Sequence, residues 1–442
     1  MPGKLEGRNA TSDNNTCIVF HKKLPLAYSV LTPIFTHRAL YDKMKLLIII
    51  LQEVDLVNYF DYAATTPLNS EAADIYTKLS KSCFGNTSSL HEVGAEAQNI
   101  LSYSRAELAK MLGVEAAGIY FTGGGTESNL LSIISLAKAN KHKGNHIITT
   151  LGEHPSIDSA LEYLSHNGFV ITKIPFTADG LVNLDELEKA ITRHTILVSI
   201  QHVNPEIGTI QPIEEISTVV RKHGILLHSD CVQSFGKVEL KPIAKVVDSL
   251  TISAHKVYGP KGVGVAYIHP RHRLVPVFPG LVHESGFRGG TVNVPGIAAF
   301  ITAIKLADEY EKSSVKFESI RKLFLTKLAE DPELFTVHES KDPNKQLPQI
   351  IGLRVHNMEG QLMMLELNRH GFAISTGSAC QIGQQSASKA MLALQINPQQ
   401  AMEFIRISFG KSTTLESVNA LADCLIRLRM EISNTKPIGH FL

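Results

Sequence analysis

The sequence predicts an α/β protein with a mostly parallel sheet, followed by a smaller α+β region. Three observations carry this. From residue 118 to residue 268, short apolar runs alternate with segments of helical period, the pattern of parallel strands joined by helices on both faces. After Pro295 the alternation gives way to a long charged helix and then to strands and helices in mixed order. Finally, 442 residues at 44% hydrophobic and 19% charged fit a globular chain longer than one core usually supports, so two domains, or one large domain with an appendage, are expected.

In chain order, Gly118–Thr122 is a short apolar run closed by glycines, and Glu127–Ala137 follows with helical period. Strands are expected at His146–Thr150, Val170–Ile174, Thr195–Ile200, Ile225–His228, Leu250–Ser253 and Val263–Ile268. Helices at Ser156–Leu164, Leu184–Ile191 and Ile213–His223 lie between them. In the second region a helix from Ile297 to about Leu328 leads to strands at Phe335–Val337, Ile350–Val355, Phe372–Ser375 and Phe404–Ser408. Helices are expected at Gln361–Leu367, Ser386–Leu394 and Leu415–Glu431. The resulting division is an N-terminal extension (1–57), a large α/β domain (58–296) and a small α+β domain (297–442).

The formal net charge of +1 points to neither nucleic acid nor an anionic membrane as a partner. Five scattered cysteines (Cys17, Cys83, Cys231, Cys380, Cys424) form no CxxC pair. They fit neither a disulfide framework nor a metal site, so a reducing cytoplasm is expected and no metal. Residues 1–57 read as a dispensable leader: the apolar run Lys45–Leu51 is far short of the ~20 residues that span a bilayer. Met44 is an alternative start.

Three elements carry the chemistry. Ser253-Ala254-His255-Lys256 ends a strand and runs into Val257-Tyr258-Gly259-Pro260-Lys261-Gly262. A lysine at a strand end, before a glycine turn, is placed to enter a cavity and form a Schiff base with an aldehyde. Taken alone it fits a surface turn as well. Gly123-Gly124-Gly125-Thr126-Glu127 joins a strand to a helix, where glycines let backbone N–H groups approach an anion. It also fits a plain βα turn, and it is neither a dinucleotide fingerprint nor a P-loop. His228-Ser229-Asp230-Cys231-Val232-Gln233 places an acid at an apolar strand end. Asp230 suits a pyridinium nitrogen, although strand-end aspartates also cap helices. Gln233 stands where it would donate to a phenolic oxygen. A phosphate cradle, an acid and a lysine at the ends of strands of one sheet together describe a pyridoxal-phosphate site.

From about Tyr59 onward the chain resembles the NifS/IscS cysteine desulfurases of the class V aminotransferase family. The matching stretches begin with Tyr59-Phe60-Asp61-Tyr62-Ala63-Ala64-Thr65-Thr66-Pro67, Gly125-Thr126-Glu127-Ser128-Asn129, Glu153-His154 and Ser253-Ala254-His255-Lys256. Arg288-Gly289-Gly290-Thr291, Ser375-Thr376-Gly377-Ser378-Ala379-Cys380 and Arg406-Ile407-Ser408-Phe409-Gly410 complete the set. The resemblance implies the type I fold of pyridoxal-phosphate-dependent transferases, a homodimer, L-cysteine as substrate and a sulfur-acceptor protein as partner, such as an iron–sulfur scaffold. Lys256 is implied to hold the cofactor aldehyde, and His154 to stack on its ring and help move protons. Gly125, Thr126, Ser253 and His255 are implied to hold its phosphate, and Thr291 to reach the phosphate of the other subunit. Asp230 and Gln233 are implied to tune the ring, and Arg406 to clamp the substrate carboxylate.

Cys380 separates desulfurases from transaminases. It lies in a polar, small-residue run suited to carrying a persulfide, whereas Cys424 lies in an apolar run and Cys231 reads as a packing residue. Two departures stand out. In Val203-Asn204-Pro205-Glu206, Pro205 replaces a second asparagine that contacts the phenolic oxygen in the family, which leaves Gln233 or a water to compensate. Phe278–Glu284 replaces a commoner glycine-rich run. The expected activity is removal of sulfur from L-cysteine. Its rivals are a selenocysteine lyase, a class V transaminase, which needs no such cysteine, and a non-catalytic partner protein of the same fold.

Overall fold

The computed structural model describes residues 57–310, 314–377 and 387–434. Residues 1–56 of the N-terminal extension, including Met44, and Cys380 lie outside the described residues. Twelve strands follow in chain order: β1 (Asn58–Tyr59), β2 (Ile119–Thr122), β3 (His146–Thr150), β4 (Val170–Ile174), β5 (Thr195–Ser199), β6 (Leu226–Asp230), β7 (Ser249–Ser253), β8 (Gly264–Ile268), β9 (Phe335–His338), β10 (Ile350–Val355), β11 (Phe372–Ala373) and β12 (Phe404–Ser408). The first sheet has the order β2-β8-β7-β6-β5-β3-β4. Only β8 runs antiparallel to its neighbours β2 and β7; the other pairings are parallel. Strands β3, β5, β6, β7 and β8 are buried along their whole length, as expected of strands covered by helices on both faces.

A second sheet, β12-β10-β9, is antiparallel, and β1 pairs with β11 in parallel. Each main sheet has its own core. Phe317, Ile320, Phe324, Leu353, Ile405, Ile407 and Leu425 pack around the second sheet. Helix Val294–Tyr310 packs instead with the first core, through Val294, Ile297, Phe300 and Ile301.

Strands β3, β4, β10 and β12 have the expected bounds; other elements shift at their ends, and three differences bear on the site or the fold. Strand β6 continues to Asp230, because Ser229 and Asp230 are buried in the sheet despite being polar. The helix expected from Glu127 begins at Gly125, since glycine hides a helix start from hydrophobic periodicity. The single helix expected to Leu328 is described as two, Val294–Tyr310 and Ser314–Leu328. Two further helices precede these, each with an apolar stripe: Ser70–Ser82 through Ala72, Ile75, Tyr76 and Leu79, and Glu92–Leu112 through Ala97, Leu101, Leu108 and Leu112. The first buries only Ala72, and the second buries Gly94, Ala97 and Ser104 among its leucines.

The N-terminal segment crosses from the second core to the edge of the first sheet. Phe60 is 1% exposed and packs against the rings of Phe372 and Phe409, with centroids 6.3 and 6.2 Å away. Its N–H donates to the Ala373 carbonyl and its carbonyl accepts from the Ser408 N–H, both at 2.8 Å. Phe60→Ala is expected to cost about 3–5 kcal/mol, read as a lower midpoint of urea unfolding. A cost below about 1 kcal/mol would show that this ring does not hold the segment.

Candidate active site

The site stands at one edge of the first sheet. Strands β2, β6 and β7 end there, and β8, running the other way, begins there. Ligands bind at this edge in open α/β sheets because loops and helix N-termini converge on it. The helix Gly125–Asn140 starts directly after β2, so its free N–H groups face the edge. A side chain at Gly125 would meet Val232 Cγ2 at 2.9 Å. Gly264, the first residue of β8, lies so close to the backbone of Gly124 that an added Cβ would come within 2.4 Å of its carbonyl carbon. The cradle is therefore bare backbone held between two strands. Gly125, Thr126, Ser253 and His255 line one cavity of about 1060 Å³, with Arg288 and Lys261 at its side. Ser253 Oγ is buried without a hydrogen-bond partner. His255 Nδ1 lies 3.1 Å from Thr65 Oγ1. Burial, with Lys256 and Lys261 nearby, pushes the imidazole of His255 down to about 4, so it is neutral.

Lys256 closes the short helical turn Ala254–Lys256 after β7. Its amine donates to the carbonyls of Ala63 (2.5 Å) and Ala64 (2.8 Å). Burial of the amine and the charges of Arg406 and Lys237 push it down to about 7 against the pull of Asp61 and Asp230. Gln233 Nε2 donates to the same Ala63 carbonyl at 2.7 Å, so Gln233 and Lys256 converge on one oxygen. At the end of β6, Asp230 Oδ1 accepts from the Val232 N–H (2.9 Å) and Oδ2 from Asn129 Nδ2 (2.7 Å).

His154 caps helix Pro155–His166, and its Nδ1 accepts the Ser156 N–H at 3.1 Å. Before it, Glu153 is buried and accepts from Thr150 Oγ1 and the Gln201 N–H. Burial raises its carboxyl to about 8. Arg406, on β12 and 3% exposed, pairs with Asp61 at 2.7 Å and donates to the Pro205 carbonyl at 3.0 Å. Its Nε has no partner. The residue that replaces the family's asparagine thus serves the arginine through its main chain.

The described residues on either side of 378–386 rest on one carboxylate. Glu206 accepts from Ser388 Oγ and the Ala390 N–H, and lies against Gly377, three residues before Cys380. Thr291 is exposed beside the cavity-lining Arg288 and Gly289. Cys231 is fully buried with its thiol pushed up to about 12, and Cys424 is buried, as expected of packing residues. Among the described residues no group of histidine, cysteine and carboxylate side chains could hold a metal, and no helix is long and apolar enough to cross a membrane.

Sequence reasoning gave no role to Asn129, Ser156 or Asp61. The signal for Asn129 was present: Ser128, Asn129 and Ser132 form a polar stripe on a buried helix, 0–1% exposed. A buried polar stripe must be hydrogen-bonded.

The class-V aminotransferase family pattern matches residues 58–421. A Bacillus subtilis (strain 168) protein whose name assigns it to the NifS cysteine desulfurases is 46% identical over 364 residues, 82% of this chain and 92% of its own. The cysteine desulfurase IscS of Dictyoglomus turgidum is 37% identical over 380 residues, 86% of this chain and 96% of its own. A NifS-like protein of known structure superposes with a TM-score of 0.77 at 31% identity, over 85% of this chain and 99% of that one. A structure described as SspA in complex with cysteine gives 0.69 at 31% identity, over 80% and 98%. Identity at this level over nearly the whole described chain leaves one assignment: the chain belongs to the class-V aminotransferase family, among its NifS/IscS cysteine desulfurases.

Proposed function

We propose that the protein is a pyridoxal-phosphate-dependent cysteine desulfurase that converts L-cysteine to L-alanine and carries the sulfur as a persulfide on Cys380. The observation that carries this reading is the Lys256 amine. It is half-buried, held by two main-chain carbonyls and displaced to about 7, beside a glycine cradle and a buried aspartate. The relatives' names support cysteine desulfuration, and the structure described as a complex with cysteine supports L-cysteine as substrate.

The residues present fit the cofactor. The unpartnered Ser253 hydroxyl, the neutral His255, Thr126 and the bare backbone at Gly125 suit a phosphate. Asp230 suits the ring nitrogen and Gln233 the phenolic oxygen. Once bound, pyridoxal phosphate supplies a sink for the electron pair left when the substrate α-carbon loses its proton. Lys256 would hold the cofactor through its amine and would take that proton. Arg406 holds the substrate carboxylate through its fork of N–H groups. The Cys380 thiolate attacks the substrate sulfur: an S–S bond forms, the Cβ–S bond breaks, and the carbon skeleton leaves as alanine after protonation. The persulfide then passes to an acceptor, such as an iron–sulfur scaffold, or to a thiol reductant. We further propose a cytoplasmic homodimer in which Thr291 reaches the partner's phosphate.

Two outcomes are expected. Cys380→Ser keeps the bound cofactor's visible band but lowers sulfide release from L-cysteine on the order of a thousandfold; unchanged release would remove Cys380 from the mechanism. The second concerns pH. An amine displaced downward by burial is neutral above about pH 7 and protonated below it. Covalent uptake of the cofactor by the apoprotein, trapped with borohydride, should therefore rise through about pH 7. A rise centred on the ordinary lysine range near pH ~10 would refute the placement of Lys256.

A further inference from the structure

A continuous hydrogen-bond chain runs from Asp230 to His154, and it can be assigned donor by donor. A carboxylate only accepts, so the Asn129 atom 2.7 Å from Asp230 Oδ2 is its nitrogen. The second N–H of that nitrogen reaches Ser156 Oγ at 3.0 Å. Asn129 Oδ1 must then accept, and its partner is His228 Nε2 at 3.2 Å. His228 therefore carries its proton on Nε2 and accepts at Nδ1 from Ser249 Oγ, 2.7 Å away. Burial pushes this imidazole down to about 3, so the assignment does not change at working pH. Ser156 Oγ, having accepted from Asn129, has one proton to give, and His154 Nδ1 lies 2.8 Å away. The same Nδ1 also receives the Ser156 backbone N–H at 3.1 Å.

We infer that Asn129 and Ser156 are positioning residues that hold His154 as the neutral imidazole with its proton on Nε2, so that His154 acts as an uncharged N–H donor and does not pass through an imidazolium during turnover. A proton added to Nδ1 would face a backbone N–H and a hydroxyl already turned toward it. It would break two hydrogen bonds and disturb the Asn129 contact that fixes Asp230. The groups around His154 agree. Asp230 at the end of β6 and Asp158 on its own helix favour the charged form, while Lys256 after β7 and Lys389 on helix Lys389–Ala393 oppose it. His255, beside Lys256, is neutral. Burial of the ring is the largest influence and lowers its basicity. Proton movement at the substrate is thereby left to Lys256. This consequence rests on the desulfurase reading, which puts His154 at the cofactor; the tautomer itself does not.

The test uses holoenzyme labelled with 15N-histidine, the His154 signals being assigned by their loss in His154→Gln. Two-bond proton–nitrogen spectra between about pH 5 and pH 9 report tautomer and charge directly. Wild type is expected to show His154 neutral with its proton on Nε2. In Ser156→Ala the hydroxyl donor is gone, so His154 titrates at higher pH. The kcat/KM profile then gains an acid limb falling about tenfold per pH unit. Ser156→Thr, which keeps the hydroxyl, restores the wild-type profile. A proton on Nδ1 in wild type, or an identical titration in wild type and Ser156→Ala, overturns the inference. Absence of the cofactor band or of alanine formation would instead count against the desulfurase reading, and the tautomer would still be read from the same spectra.

Discussion

Residues 58–66 hold the two halves of the site in register. Lys256 belongs to the first sheet and Arg406 to the second, and each sheet has its own core. One short stretch touches both. Phe60 is packed in the second core, Asp61 pairs with Arg406, and the carbonyls of Ala63 and Ala64 receive the lysine amine. Thr66 then takes the His255 carbonyl through its own N–H and hydroxyl. Because the contacts to Lys256 are main-chain carbonyls, the amine is positioned by backbone rather than by adjustable side chains. Reaction rates fall steeply when reacting groups are misplaced by an ångström, so this stitching is a catalytic constraint as well as a structural one.

The same crowding divides the two cations by role. The Arg406 charge opposes that of Lys256; Arg406 is buried and Lys256 half-buried. A guanidinium does not give up its proton in a protein, whereas an ammonium does so readily when desolvated. Arg406 pairs with Asp61, and the lysine becomes the free amine. One residue is left to recognise a carboxylate and the other to act as nucleophile and base, with no separate device needed for each.

The sequence was legible where one signal dominated. Strands β3, β4, β10 and β12 could be read residue for residue as apolar runs between polar breaks. Asp230 could not be placed within β6, because a carboxylate inside a buried strand contradicts the pattern that defines the strand; its partner Asn129 lies 101 residues earlier. Gly125, Thr126, Ser253, His255 and Lys256 were recognisable because cradle and lysine are local motifs. Asn129 stood in a readable polar stripe, but its role and that of Ser156 come from donors and acceptors that meet only after β2, β3 and β6 have been brought together. Helix Ser70–Ser82 was legible from the spacing of Ala72, Ile75, Tyr76 and Leu79, although only Ala72 is buried.

The contact between Gly264 and Gly124 bears on how freely this protein can vary. Elsewhere in a sheet, replacing glycine by a larger residue commonly strengthens a strand. Here the antiparallel strand β8 runs its first residue against the backbone of the cradle, with no room for a methyl group. A change that improved the pairing of β8 would have to push the cradle away from the sheet edge. Selection for a more stable sheet and selection for a phosphate-holding turn therefore pull against each other at one atom. A search for more heat-resistant variants would do well to leave that position alone.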